Sequence, residues 1–214
     1  MSIASGRCAN ELFLVEDGYS ITCSDLGYPS SFQQAKTLFP NIDFVEMDIL
    51  EVPPSVKYDA IIALSLIYLF DESDLGIFFK NVSDCLNVNG SLILDSSGSP
   101  DNFLSFFIHD IWLKYETCLV RFLKRIKGRH DGLVIKDHGF RRTDIEIIEL
   151  AKKYNLELVV QGNYGFLVEF TRSVIFSKIF LKRAMRLSSI TNRVFSFIGK
   201  GVPYTRMYMF KKVS

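Results

Sequence analysis

Short apolar runs, each closed by a small residue or an acid, alternate with helix-forming segments over residues 1–98, and this alternation constrains the fold more than any other feature. Ile3-Ala4-Ser5-Gly6 reads as the end of a strand entering a small-residue turn. Ala9 to Glu16 reads as a short helix offering Leu12, Phe13 and Val15 to a core. Gly18-Tyr19 turns the chain back into a second strand, Ile21 to Ser24, with Asp25 at its end. A strand, a small turn, a helix, a strand and an acid roughly 20 residues on make half of a nucleotide-binding βαβ unit. The turn is small so that a ligand can approach the backbone and its N–H groups. The acid sits where a carboxylate can meet ribose hydroxyls.

The pattern continues in the same rhythm. Ser30 to Phe39 reads as a helix stopped by Pro40, and Asp43 to Met47 as a third strand followed by Asp48-Ile49. Pro53-Pro54 marks a loop before a fourth strand, Ala60 to Leu64. Asp71 and Ser73 can cap a helix in which Leu75, Phe78, Phe79, Val82 and Leu86 recur at helical spacing. Asn87-Val88-Asn89-Gly90 reads as its end, with Gly90 as the turn residue, and Ser91 to Asp95 as a fifth strand. A βαβαβ order implies a parallel sheet with helices on both faces, and ligands in such sheets bind at the C-terminal ends of strands. Gly6, Asp25, Asp48 and Ser65 all fall at such ends.

These residues resemble the class I S-adenosylmethionine-dependent methyltransferases. The opening motif of that family is roughly an acid, any residue, then G-x-G-x-G. Its glycine positions fall on Ala4, Gly6 and Cys8 and its acid on Ser2, so one glycine of three is present and the acid is absent. Lys57-Tyr58-Asp59 before an apolar run is a further family feature, and Leu86 to Leu94 resembles the family's L-K-P-G-G-x-L-x-L segment with Asn89 in place of the first glycine. The resemblance implies a Rossmann-like α/β methyltransferase fold, a mostly parallel seven-strand sheet with an antiparallel last strand and helical insertions. It implies one domain over 1–214, with insertions at about 101–142 and 166–202. It implies S-adenosyl-L-methionine as cofactor, held by Ala4, Ser5, Gly6, Asp25, Leu26, Asp48, Ile49 and Ser65. Asp25 would take the ribose hydroxyls, Asp48 the adenine amino group, and Ile49 would pack on the ring. Ser65 would lie near the methionine end.

After Gly98 the character changes. Asp101 to Ile126 is long, aromatic and helical, with a basic end. A polar loop over 129–142 precedes the capping box Thr143-Asp144-Ile145-Glu146, which opens a helix to Tyr154, and Glu157 to Gln161 reads as a sixth strand. The stretch from His138 to Thr143 resembles the acceptor-facing loop of sugar and small-molecule methyltransferases. Should the acceptor be a hydroxyl, a general base is needed, and His138 and His109 are the candidates. Phe170 to Lys200 mixes apolar and basic residues as amphipathic helices do, and Tyr204 to Lys211 alternates as a last strand that the family pairs, antiparallel, with the sixth.

Charge and cysteine usage narrow the partners. Residues 1–100 carry 4 basic against 14 acidic side chains, and residues 101–214 carry 21 against 10. The basic half is expected to face an acidic substrate or an anionic membrane surface. No interleaved aromatic and basic platform for nucleic acid stands out, so the expected acceptor is a small molecule, a glycan or a lipid-linked precursor. Cys8, Cys23, Cys85 and Cys118 are scattered, which suits a reducing, cytoplasmic compartment, and the three histidines show no metal-ligand spacing. Two other readings stay open: a methyltransferase-like binding module without catalysis, and a nucleotide- or dinucleotide-binding enzyme.

Overall fold

The computed structural model describes residues 1–6, 8, 11–30, 32–51, 56–102, 106, 111–126, 139–164 and 205–214. Seven strands form one sheet in the order β3-β2-β1-β4-β5-β7-β6. They are β1 (Ser2–Ile3), β2 (Ile21–Asp25), β3 (Ile42–Glu46), β4 (Tyr58–Ala63), β5 (Leu86–Ser97), β6 (Leu156–Tyr164) and β7 (Thr205–Lys212). Helices α1 (Leu12–Glu16), α2 (Phe32–Leu38), α3 (Glu72–Cys85), α4 (Leu113–Ile126) and α5 (Asp144–Lys152) connect them.

The shortest strand, β1, lies inside the sheet, third in the order. β1 pairs in parallel with β2 on one side, Ser2 to Cys23, and with β4 on the other, Ser2 to Ile62. Two residues suffice because both neighbours supply ladder partners and Met1 extends the pairing, its carbonyl accepting from the Ile62 amide at 2.9 Å.

β7 runs against the rest. At its start, the Arg206 guanidinium donates to the carbonyl of Ser97, the last residue of β5. At its end, Lys212 Nζ donates to the carbonyl of Leu86, the first residue of β5. The Val213 amide likewise meets the Asn155 carbonyl beside the start of β6 at 3.0 Å. The antiparallel last strand expected from the resemblance is therefore present and lies beside the sixth strand.

Strand alternation separates two cores. Ile3 belongs to a large cluster with Ile61, Ala63, Leu75, Phe78, Phe79, Val82, Leu92, Leu94, Ile147 and Phe210. Ser2 points the other way, beside its register partner Cys23, toward a smaller cluster of Cys8, Val15, Ile21, Phe32 and Ile42. α3 serves the first core because Leu75, Phe78, Phe79 and Val82 fall on one stripe, and Asp71 caps it by accepting from the Asp74 amide at 2.9 Å.

The Asn87–Gly90 stretch departs from the sequence expectation. α3 stops at Cys85 and β5 begins at once at Leu86, so these residues are not a helix-ending turn. Tyr58 pairs with Leu86 and Ala60 with Ser91, so Asn87 to Gly90 are absorbed as a bulge within the strand. The left-handed residue is Asn89, with φ 65°, not Gly90. Gly90 is glycine for space: a Cβ there would come within 2.8 Å of the Asn87 carbonyl and 3.1 Å of the Tyr58 carbonyl.

The chain divides into two compact units, one of Met1–Ser96, Ile145–Gln161 and Met207–Ser214, the other of Ser97–Asp144 and Gly162–Arg206. In the second, Arg206 is fully buried and bonds the carbonyls of Ser97 and Arg142 and the carboxylate of Asp144, while Arg141 donates to the carbonyls of Gly98 and Ser99. The expected helices over 170–200 lie outside the described residues.

Candidate functional site

Four neighbouring strands, β3, β2, β1 and β4, end on one edge of the first unit, and the loops that follow them carry the residues singled out in the sequence. Parallel pairing does this: Ile3 is level with Ser24 and Ala63, and Asp25 with Glu46. The next residues of each strand must then emerge side by side.

The loop after β1 has an unusual backbone. Ala4, Gly6 and Cys8 all take left-handed φ values, 54°, 56° and 57°. These are the three positions at which the resemblance expects glycine. The conformation that glycine would supply freely is thus retained where two of the three residues carry side chains. The Ser5 amide donates to the Ser24 carbonyl at 3.0 Å, and the Cys8 amide to the Ser5 carbonyl at 2.9 Å, closing the turn on itself and on β2. Nothing lies within 4 Å of a Cβ built on Gly6, so the loop presents an open backbone face.

Asp25 is brought to this loop. Its Oδ2 accepts from the Gly6 amide at 2.8 Å and its Oδ1 from the Leu26 amide at 2.8 Å. Leu26 beside it is 69% exposed, an uncovered apolar side chain next to a charged one. The Asp25 carbonyl in turn accepts from the Met47 amide, which sets Asp48 next in line. Asp48 closes its own turn onto the Leu50 amide at 2.8 Å. Ile49 is buried in the large core, and the buried Asn81 of α3 donates to its carbonyl at 2.7 Å, fixing this loop from below. Ser65, after β4, is exposed and left-handed with φ 56°.

Two acids of this region were not anticipated. Asp95, buried near the end of β5, accepts from the Ser65 amide at 2.5 Å and so fixes the strained residue. Its signal was present, an acid closing the apolar run Leu92-Ile93-Leu94, the same signal that marks Asp25. Glu11, at the start of α1, is buried and accepts from Ser2 Oγ at 2.7 Å. No local pattern announces that contact. His109 and His138 lie outside the described residues. Among the described residues no group of three or more His, Cys, Asp or Glu could hold a metal ion. No described helix is long and apolar enough to cross a membrane.

No protein-family profile matches the chain, and no curated protein does. Solved structures do. The chain is similar over its whole length to 70% of the 1,6-didemethyltoxoflavin-N1-methyltransferase of Burkholderia thailandensis, with 12% identity and a TM-score of 0.60. That protein was crystallised with 1,6-didemethyltoxoflavin and S-adenosylhomocysteine. This chain has the class I methyltransferase fold. The magnesium protoporphyrin IX methyltransferase of Synechocystis, solved with S-adenosylhomocysteine, matches 99% of the chain at 12% identity and TM-score 0.56, over 72% of its own length. The N-methyltransferase NodS of Bradyrhizobium japonicum, also solved with S-adenosylhomocysteine, matches all of it at 14% and 0.54, over 76%. Within this methyltransferase fold the left-handed loop, Asp25, Asp48 and Ser65 share the sheet edge at which α/β proteins bind their ligands.

Proposed function

We propose that this chain is an S-adenosyl-L-methionine-dependent methyltransferase acting on a small molecule, a glycan or a lipid-linked precursor, with oxygen as the methylated atom. The observation that carries the reading is the loop from Ala4 to Cys8. It keeps three left-handed residues at the family's glycine positions and is tied through Gly6 to the carboxylate of Asp25. Left-handed L-residues cost about 1–2 kcal/mol each, so a chain with no use for this backbone has reason to lose it.

The described residues suit the cofactor. Asp25 has two oxygens, each accepting one backbone N–H and each with further acceptor capacity for a ribose hydroxyl. Leu26 offers an uncovered apolar side chain beside them. Asp48 would take the adenine amino group, Ile49 would line the ring from the core side, and Ala4, Ser5, Gly6 and Ser65 would bound the methionine end. When bound, the cofactor supplies a methyl group already activated by its sulfonium, so the protein's task is mainly positioning. His138 or His109 would take the acceptor's proton. The sequence of residues 170–200 mixes apolar and basic residues in a way that suits an anionic acceptor or a peripheral contact with anionic lipid.

Calorimetric titration with S-adenosylhomocysteine and with NAD tests the reading. Saturable binding of the first and none of the second is expected. Binding of NAD alone would move the chain to the dinucleotide class. Binding of S-adenosylhomocysteine without methyl transfer to any acceptor of the proposed classes would make it a binding module.

A further inference from the structure

α4 turns toward solvent the side chains that an amphipathic helix ordinarily buries. Tyr115, Cys118, Phe122 and Ile126 recur along it at spacings of three and four, and Ile111 continues the row one turn ahead of Tyr115. All five are exposed, the four large ones by 46% to 66%. At 1.5 Å per residue the row is about 22 Å long. The inward face is a different one: Glu116 is buried, and Trp112 and Leu119, one turn to either side of it, are half-buried. The helix thus holds its acid inside and an apolar row outside.

Charge says what covers that row. Leu113 to Ile126 contains four basic residues, Lys114, Arg121, Lys124 and Arg125, and Glu116 as its one acid. Lys114 and Arg125 are exposed and fall along one flank of the row, on the side away from Glu116. The compact unit that contains α4, residues 97–144 and 162–206, carries 17 basic against 7 acidic side chains. A second copy laid on the row would bring Lys114 and Arg125 against like charges, whether the helices ran parallel or antiparallel. An anionic bilayer meets no such repulsion. Its acyl boundary accepts the apolar row with its two aromatic rings, and its phosphates accept the flanking cations.

We propose that Ile111, Tyr115, Cys118, Phe122 and Ile126 form a docking face that seats the chain on a bilayer containing anionic phospholipid. This deepens the anionic-lipid contact of the reading above by giving it a surface among the described residues, and it makes no use of the cofactor. The helix lies in the plane of the interface, since no described helix is long and apolar enough to cross a membrane. A chain held there meets a lipid-linked acceptor, one of the classes proposed above, without that acceptor leaving its bilayer.

The test is co-sedimentation of the full chain with vesicles of phosphatidylcholine alone or mixed equally with phosphatidylglycerol. Binding is expected on the mixed vesicles at about 0.1 M salt and should weaken as salt is added. Phe122→Ser should lower the partition about tenfold, as the loss of one inserted aromatic side chain predicts, with little effect on stability at so exposed a site. Tyr115→Ser is the second variant should the first not fold. A polarity-sensitive dye on the exposed Cys118 should shift its emission to shorter wavelength with the mixed vesicles. Unchanged partition of a folded variant, or a bound chain whose dye does not shift, overturns the inference and leaves the contact to residues 170–200. Equal partition onto both vesicle types also overturns it. Self-association without vesicles that Phe122→Ser abolishes would give the face to a second copy and overturn it too. A wild-type chain that binds neither vesicle removes this inference and the lipid contact together, while the titration with S-adenosylhomocysteine still decides the methyltransferase reading.

Discussion

The Gly6 amide donates to Oδ2 of Asp25 at 2.8 Å across the gap between β1 and β2. One carboxylate thus ties the loop to the end of β2, and under the function proposed above it would also meet the ribose. Asp25→Ala removes both the loop tie and the proposed ribose contacts. Each charge-assisted bond is worth about 1.5–3 kcal/mol, so S-adenosylhomocysteine affinity should drop about tenfold to several hundredfold. The two amides lie where water can replace the carboxylate, so stability should fall by only about 1 kcal/mol, roughly 2–4 °C in Tm. A variant with lowered Tm and wild-type affinity would reduce Asp25 to a loop tie.

The left-handed loop makes a prediction independent of any ligand. Ala4 has φ 54°, where an L-residue pays about 1–2 kcal/mol and glycine does not. Losing its half-buried methyl returns up to about 0.8 kcal/mol of that. Ala4→Gly should therefore leave stability unchanged or raise it by up to about 1 kcal/mol. Ala4→Val should lower it by about 1–3 kcal/mol, because a β-branched side chain tolerates this backbone worst. Urea unfolding would give the order, and a valine variant as stable as the wild type would mean that Ala4 is not left-handed.

How far the sequence anticipated this site depends on the range of each interaction. The placement of Asp25, Asp48 and Ser65 at neighbouring strand ends was legible because each sits at or just past an apolar run, and strand ends are set by local composition. The stretch Asn87 to Gly90 was misread because its residues suit a turn, while the actual outcome depends on register with β4, in which Tyr58 pairs with Leu86 and Ala60 with Ser91. Glu11 was illegible. α1 runs only from Leu12 to Glu16, too short for a periodic signal, and the partner hydroxyl lies on another element. The reversal of β7 followed from the family resemblance and its alternation from the sequence, whereas the inward placement of Arg206 went unread: arginine in a basic stretch looks solvent-facing until the burial of Tyr208 and Phe210 fixes the phase.

The thiols carry a pH dependence. Cys8, Cys23 and Cys85 are buried and Cys118 is exposed. Burial pushes the Cys23 thiol far up, and pushes Cys85 from the ordinary 9.0 to about 11. At pH 8 an aromatic disulfide reagent should modify Cys118 quickly, and the three buried thiols only as the chain unfolds. Above pH 9 the unfolded chain loses thiol protons that folded Cys85 keeps. Stability from this group is thus complete below about pH 9 and is lost as the pH climbs toward about 11. Chemical denaturation at pH 8, 9.5 and 10.5 would show the midpoint falling along that series. Cys85→Ala should flatten the part of the slope due to Cys85, and a slope unaltered by that change would refute the assignment.

Arg206 is the most demanding of the described residues of the second unit. It is 1% exposed, and its guanidinium bonds the Ser97 carbonyl through Nε at 3.0 Å and Nη2 at 2.8 Å, the Arg142 carbonyl at 2.6 Å, and the Asp144 carboxylate. A planar fork can serve three acceptors in different directions, whereas an ammonium is a point charge that cannot reach them all. Arg206→Met removes the charge and leaves two carbonyls and a carboxylate to find water, so the loss should be about 3–5 kcal/mol. Arg206→Lys should recover part of it and remain at least about 1 kcal/mol below the wild type. Asp144 is 40% exposed, so Asp144→Asn should cost far less, on the order of 1 kcal/mol. The comparison is decided by a double-mutant cycle on guanidinium chloride unfolding. A coupling energy near zero between positions 206 and 144 would show that the carbonyls alone hold the arginine, and a lysine variant of full stability would show that the fork geometry is not what this site selects.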